Sequence, residues 1–235
     1  ITGGLVIVMQ LVMKTVPFGV FALMWTTGSS YGPDALLPLM KVVGTEYLVF
    51  AFETVVMFGV LLALMARVNI FTFIKKAGSV IASTLSTTSS NATLPITIET
   101  ATEKMGIPNE IADFSLPLGA TINLNGAAAH MMVLVLFSAQ AHGVALSIEQ
   151  IVSLIFIITV TAIGAAGVPG GSIAFTIAML GQFGIPTTAY AMILGIYRIL
   201  DMGNTTVNVL GDLACTTAVC AQEKVLDRTK WEKAS

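Results

Sequence analysis

From Phe114 to Tyr197 this chain carries a single formally charged side chain, Glu149. So long a run is too apolar for the buried core of one globular domain. A bilayer passage needs about 20 mostly apolar residues, so the stretch reads as several spans. Only 10% of the 235 residues are charged, against roughly 25% in an ordinary soluble domain. Mean hydropathy is +0.88. These values argue against a water-soluble enzyme, and a formal charge of −2 excludes a basic nucleic-acid surface as the main feature. Cys215 and Cys220 fit neither a CxxC site nor a disulfide framework and read as small packing residues. The chain opens ITGGLVIVMQ, without methionine or a charged leader, which reads as a piece of a longer protein.

Apolar segments run from Leu5 to Thr26, Tyr47 to Met65, Phe114 to Ala139, Ile151 to about Leu180, and Tyr190 to about Val219. Lys75 and Lys76 follow the second; Lys224, Arg228, Lys230 and Lys233 follow the last. Positive residues favour the cytoplasmic side. Both ends of residues 75 to 225 are therefore expected inside, with an even number of full crossings between them.

Two stretches break this pattern. STLSTTSSNATLP, Ser83 to Pro95, is too rich in hydroxyls and amides to face lipid. GAAGVPGG, Gly164 to Gly171, interrupts an apolar stretch and should stop the helix. The freed backbone groups are tolerated in hydrocarbon only where protein or a water-filled cavity covers them. Each stretch reads as a re-entrant hairpin, over 71 to 104 and 148 to 182. Each precedes a span with a polar cluster, over 110 to 139 and 188 to 221. Entry from opposite sides makes the two units an inverted repeat, the arrangement of secondary transporters. The expected fold class is an all-α membrane protein of transmembrane helices with two re-entrant hairpins.

In the last span, Arg198, Asp201, Thr205, Asn208 and Asp212 are 3, 4, 3 and 4 apart, which aligns them on one helical face. Tyr197 and Asn204 lie on the adjacent edge. Two carboxylates within a span need cationic partners. A bound amine and a bound metal ion would supply them. The plainer reading is an Arg198–Asp201 pair that cancels charge, with Asp212 at the membrane edge. In the preceding span, Asn123 and Asn125 occupy a Gly-bounded turn where the helix should unwind. That would expose the carbonyls of Gly119, Thr121 and Asn123 to a hard cation, or simply make a kink satisfied by the Asn side chains. His130 and His142 lack a spaced partner ligand and read as packing or loop residues. The Ser86 to Thr93 tip offers hydroxyls and free N–H groups to a small anion such as a carboxylate.

Several motifs, in order, carry a resemblance: TVPFGVFALM, FIKKA, TSSNATLPIT, LPLGATINLNGAA, GAAGVPGG, ILGIYRILDMGNTTVNVLGD and the final AQEK. The chain resembles the glutamate and neutral amino acid:cation symporters, also called dicarboxylate/amino acid:cation symporters, over nearly its whole length. The resemblance implies a glutamate-transporter-like fold with residues 1–68 as two transmembrane helices at the scaffold boundary. Residues 69–235 would be the core transport domain: hairpin 1, a seventh helix, hairpin 2, an eighth helix and a cytoplasmic tail. It also implies a multi-pass protein of the cell membrane, a homotrimer among lipid, with an amino acid substrate and Na⁺ as coupling ion, H⁺ being the alternative.

Position by position, the resemblance implies that Ser89 and Ser90 meet the substrate's α-carboxylate. Val168 and the Gly170 to Ser172 tip close over it, Asp201 pairs with its amine, and Thr205 and Asn208 complete the cage. Gly119, Asn123, Asn208 and Asp212 match one sodium site. Thr121 with the backbone near Ile163 matches another. Departures bear on specificity. Asn204 and Thr88 stand where acidic-substrate members place an arginine, and Ala127 replaces a threonine. Arg198 resembles a common family residue outside the usual substrate contacts. These departures imply a small neutral amino acid, with an acidic amino acid or C4-dicarboxylate as the alternative. Asn125 replaces an acid, which should weaken one sodium site. A membrane-embedded aspartyl hydrolase is the enzyme alternative; Asp201 and Asp212 lie roughly 16 Å apart along one helix and cannot share a proton as a catalytic dyad would, which argues against it. A passive channel is the remaining competitor.

Overall fold

The structure, a computed structural model, describes residues 36–165 and 167–232, together with positions 18, 21, 22, 25 and 29. The expected Leu5 to Thr26 span falls largely outside the described residues. Among the described residues all regular secondary structure is helical.

The first long helical stretch comprises α1 (Leu36–Phe52), a π-turn over Glu53–Met57, α2 (Phe58–Leu61) and a second π-turn over Leu62–Ala66. It begins eleven residues before the expected Tyr47, taking in Lys41 and Glu46. It is 30 residues long from Leu37 to Ala66. Leu37, Met40, Leu48, Phe52, Val55 and Val60 are exposed along it, as suits a helix whose surroundings are apolar. Arg67 ends it in a left-handed conformation.

Next come α3 (Ile70–Lys76), capped by the Asn69 side chain, α4 (Gly78–Thr87) and α5 (Ser90–Glu99). α4 and α5 pack together as hairpin 1. A π-turn over Thr100–Lys104 leads to α6 (Asn109–Ile122) and α7 (Asn125–Ala141). α8 (Ile148–Gly164) opens on a capping box between Ser147 and Gln150, which satisfies two backbone donors reciprocally. α9 (Ile173–Gln182) follows the glycine-rich segment, and α8 and α9 both pack on α7. We call α8, α9 and their connection hairpin 2. Then come α10 (Thr188–Leu194), α11 (Tyr197–Gln222) and the short α12 (Thr229–Glu232).

Both expected irregular segments are present: Thr88–Ser89 separates α4 from α5, and among the described residues 165 and 167–172 lie between α8 and α9. The seventh-helix segment unwinds as expected, with Asn123 and Leu124 outside helical dihedrals. The final segment, expected to run through from Tyr190, is also broken. The N–H groups of Gly195 and Ile196 bond three residues back, to Met192 and Ile193. Glycine at 195 is the poorest helix former short of proline, so the turn tightens there. Each hairpin is thus followed by a helix in two pieces.

α11 organises the interior. Val207, Leu210 and Leu213 sit in one apolar cluster with Phe58, Phe73 and Leu116. Leu200 sits in a second with Met131, Leu154, Leu180 and Ile193. The polar stripe of α11 is buried with them, because hairpin tips and the α6–α7 break meet it. At the chain's far end, Lys76 Nζ donates to the Lys230 carbonyl at 2.8 Å and Trp231 Nε1 to Met105 at 2.7 Å. Burial, reinforced by the charges of Lys75 and Lys104, holds the Lys76 ammonium below the usual lysine range. Cys220 packs in the first cluster as expected; Cys215 is exposed.

Candidate functional site

The Ser89 hydroxyl joins the two irregular tips. It caps α5 by accepting from Ala92 N–H at 3.2 Å and donates to the Gly167 carbonyl at 2.9 Å. The same carbonyl accepts Asn91 N–H at 3.2 Å. Gly167 is required at this approach, since a Cβ there would lie 2.7 Å from the Ala120 carbonyl.

Beneath the tips lies a cavity of about 20 Å³, room for about one water. Of the residues expected at the substrate, Thr88, Ser90, Ala127, Val168, Ser172, Asp201, Asn204, Thr205 and Asn208 all line it. Ser89 is buried but committed to the tip contact.

Asp201 is 4% exposed. One carboxylate oxygen accepts Gly170 N–H at 3.1 Å and the other accepts the Asn204 amide at 3.1 Å. Both donors are neutral. Among the described residues no direct ion pair joins Arg198 to Asp201; the guanidinium acts on the carboxylate only from a distance. Arg198 instead turns to hairpin 1, donating to the Thr88 hydroxyl and, at 2.7 Å, to the Ser86 carbonyl. Thr88 holds φ = 49°, a strained conformation for a β-branched residue. The guanidinium spans that bend. Asn204 and Asn208 are linked at 3.0 Å, and Asn208 accepts Ala127 N–H at 3.2 Å.

A second polar group forms where α6 breaks. Asp212, also 4% exposed, accepts the Asn123 amide at 2.7 Å. Gly119 lies against the same carboxylate so closely that a Cβ would overlap it. Asn125 donates to Glu53 Oε1 at 2.8 Å, while its own Oδ1 has no hydrogen-bond partner among the described residues. Gly211 separates Asn123 from Asn125, each within 3.1 Å of where its Cβ would be. Expected cation ligands Gly119, Asn123, Asn125 and Asp212 are therefore gathered, and Asn208 lies one turn before Asp212. The Gly119 carbonyl, expected free, accepts Asn123 N–H at 2.8 Å, because the chain makes one more helical bond before it unwinds. Thr121 and Ile163 are exposed on neighbouring helices α6 and α8, and the Thr121 hydroxyl turns back to the Leu118 carbonyl.

Sequence reasoning missed Glu46 and Glu53. Their signal was available: an acid inside an apolar helix long enough to span is costly, and usually functional. Glu46 meets His130, read from sequence as a packing or loop residue, at 2.9 Å.

An all-helical protein with two helices long and apolar enough to cross a membrane, and a polar centre built from broken helices, has the construction of a membrane carrier. The chain belongs to the sodium:dicarboxylate symporter family, whose model matches residues 5–222, and it is an integral membrane protein. It is 38% identical over 225 residues to the proton/sodium-glutamate symport protein of Bacillus subtilis (strain 168), covering 96% of this chain and 52% of that protein. It is 35% identical over 223 residues to the proton/glutamate-aspartate symporter of Escherichia coli (strain K12), covering 95% and 51%. It is 35% identical over 236 residues to the C4-dicarboxylate transport protein of Burkholderia pseudomallei (strain 668), covering 98% and 54%. The chain spans about half the length of these curated relatives.

Proposed function

We propose that the protein is a secondary active symporter of the cell membrane that moves an amino acid together with a cation, by alternating access. One observation carries the reading. Asp201 and Asp212 are two buried carboxylates whose hydrogen bonds come only from neutral donors, with no cation in direct contact among the described residues. A buried carboxylate without a cation costs several kcal/mol, and two cationic guests remove that cost: the substrate's ammonium at Asp201 and Na⁺ at Asp212. Asn123, the partnerless Asn125 Oδ1 and Asp212 supply the oxygen donors a hard cation prefers, with Glu53 replacing the charge that Asn125 lacks.

Ser90 at the hairpin 1 tip receives the α-carboxylate; the expected free N–H groups around it are already bonded at Thr88, Ser89, Asn91 and Ala92. Thr205 and Asn208 close the cage. Because Gly170 N–H occupies the Asp201 oxygen, the ammonium and the hairpin 2 tip compete for one acceptor. Binding therefore moves the tip, which acts as the gate. Residues 69–235 form the moving domain, hairpins 1 and 2 re-enter the membrane, and the whole protein is a trimer. A cation that tightens substrate binding is tightened by it in return.

For the substrate side chain, the acidic reading is favoured. Arg198 places a guanidinium directly behind Thr88 in the cavity wall, and relatives of comparable identity are named for glutamate and aspartate. The neutral reading rests on a different observation, that no lysine or arginine lines the cavity itself. Uptake by the whole protein in proteoliposomes separates them. Labelled aspartate and glutamate accumulating in a Na⁺- or H⁺-gradient-dependent way supports the acidic reading, and serine or alanine doing so supports the neutral one. Uptake of any of them that ignores both gradients overturns symport.

A further inference from the structure

Glu46 and His130 are both fully buried, with 0% of either residue exposed. Glu46 lies on α1 and His130 on α7, two helices that pack together and against α11. Their closest atoms, Glu46 Oε1 and His130 Nδ1, are 2.9 Å apart but not aligned as a hydrogen bond. Among the described residues both Glu46 oxygens and both His130 nitrogens lack a hydrogen-bond partner. A pair kept only for packing should be satisfied, since each buried unpaired polar atom costs free energy.

The surroundings show what the pair exchanges with. The His130 ring lies edge-on to the Tyr197 ring, centroids 5.3 Å apart at 79°. Tyr197 Oη and the Ser172 hydroxyl are 2.7 Å apart, and Ser172 stands at the hairpin 2 tip and lines the cavity. A continuous route of side chains thus leads from the pair to the gate. The other ionisable groups on the elements packed around it are Tyr190 on α10, Tyr197, Arg198, Asp201 and, further along, Asp212, Cys215 and Cys220 on α11, Lys41 and Tyr47 on α1, Glu53 on the π-turn after it, and Glu149 and His142 at the far ends of α8 and α7. Arg198 is engaged at hairpin 1 and Lys41 is exposed.

We infer that Glu46 and His130 together form one binding site for a transported proton, reached through Tyr197 and Ser172 when the hairpin 2 tip lifts. With one proton the pair is neutral, whether the proton sits on the carboxyl or the imidazole. Without it the pair carries a net charge of −1 in an apolar core, which is expensive. The proton therefore stays while the tip is closed, and leaves to the side from which water enters. This inference rests on the symport reading and adds a second cargo ion to it.

The test uses the whole protein in proteoliposomes with a pH dye in the lumen. Wild type is expected to acidify the lumen as substrate enters. Glu46→Gln, and the volume-conserving Glu46→Gln/His130→Gln double variant should the single one misfold, are expected to lose that acidification while still exchanging labelled substrate across the membrane. Acidification by either folded variant at the wild-type ratio to substrate overturns the site, as does wild-type uptake with no acidification. If wild type moves no substrate at all, the symport reading fails, and the site is judged by infrared pH-difference spectra of the purified protein. A titrating carboxylic-acid C=O band lost in Glu46→Gln supports it; a wild-type spectrum unchanged by that substitution overturns it.

Discussion

The two hairpin tips line the same cavity with opposite chemistry. Hairpin 1 is held at every turn: Thr87 bonds Thr93 at 3.0 Å, Ser89 caps α5, and Arg198 clasps the Ser86 carbonyl and Thr88 hydroxyl. Its two helices also pack on each other. Hairpin 2 has a tip of glycine, proline and small residues, joined to its surroundings by Gly170 N–H, the Ser172 hydroxyl and the Gly167 carbonyl. Each such bond contributes about 1 kcal/mol net. One wall of the cavity is therefore fixed and the other is attached by a few breakable contacts. The proposed gate therefore has its moving part where the chain has fewest side chains to reorganise.

The largest effect is expected from Asp201→Asn. It removes the acceptor that the hairpin 2 tip uses and that the proposed ammonium would use, and binding of amine-bearing substrates should fall by at least about a hundredfold, a loss of a buried charge pair worth 3 kcal/mol or more. Calorimetry on the purified protein measures it, with an unchanged elution volume showing that the fold survives. Next is Arg198→Gln, which unclasps the fixed tip. Aspartate affinity should drop by about tenfold to a hundredfold, as for hydrogen bonds to charged groups, and a cysteine placed at Ser86 should become more reactive. An unchanged reactivity would show that hairpin 1 is rigid without its guanidinium.

Ser172→Ala cuts one of the few attachments of the mobile tip. Amide hydrogen exchange across residues 167–172 should speed up by about fivefold, matching roughly 1 kcal/mol, with residues 86–93 unaffected. Equal acceleration in both tips would end the distinction between them. The smallest effect is expected from Gly170→Ala. Gly170 has φ = 74°, and a Cβ there would be 3.2 Å from Ile173 Cδ1, so the strain is about 1 kcal/mol. Substrate affinity should change by only a few fold while the tip's exchange rate changes as much.

Much of this asymmetry is legible in the residues. GAAGVPGG and TTSSN announce two breaks, and the 3, 4, 3, 4 spacing of α11 places Asp201 and Asp212 on one face. The members of that stripe follow from the spacing because helical period fixes which side chains share a face; the hairpin and α7 members of the site are what the family resemblance implies. What the pattern leaves open is partnership across elements. Arg198 shares the stripe with Asp201 yet pairs with hairpin 1, since the strained Thr88 bend brings acceptors closer than the carboxylate. Glu46 and Glu53 lie more than seventy residues from His130 and Asn125, and only packing of α1 and its π-turn against α7 joins them. The break at Gly195 was hidden because a lone glycine is compatible with a continuous helix until the tertiary packing is known.

In the proposed mechanism Asp201 receives the substrate's ammonium group. Calorimetric titration of the whole protein with aspartate and with succinate, which differ by that amine, tests it most directly. Aspartate should bind in the presence of Na⁺ with succinate at least about a hundredfold weaker, and the difference should vanish in Asp201→Asn. Succinate binding as tightly as aspartate to the unaltered protein would contradict the account.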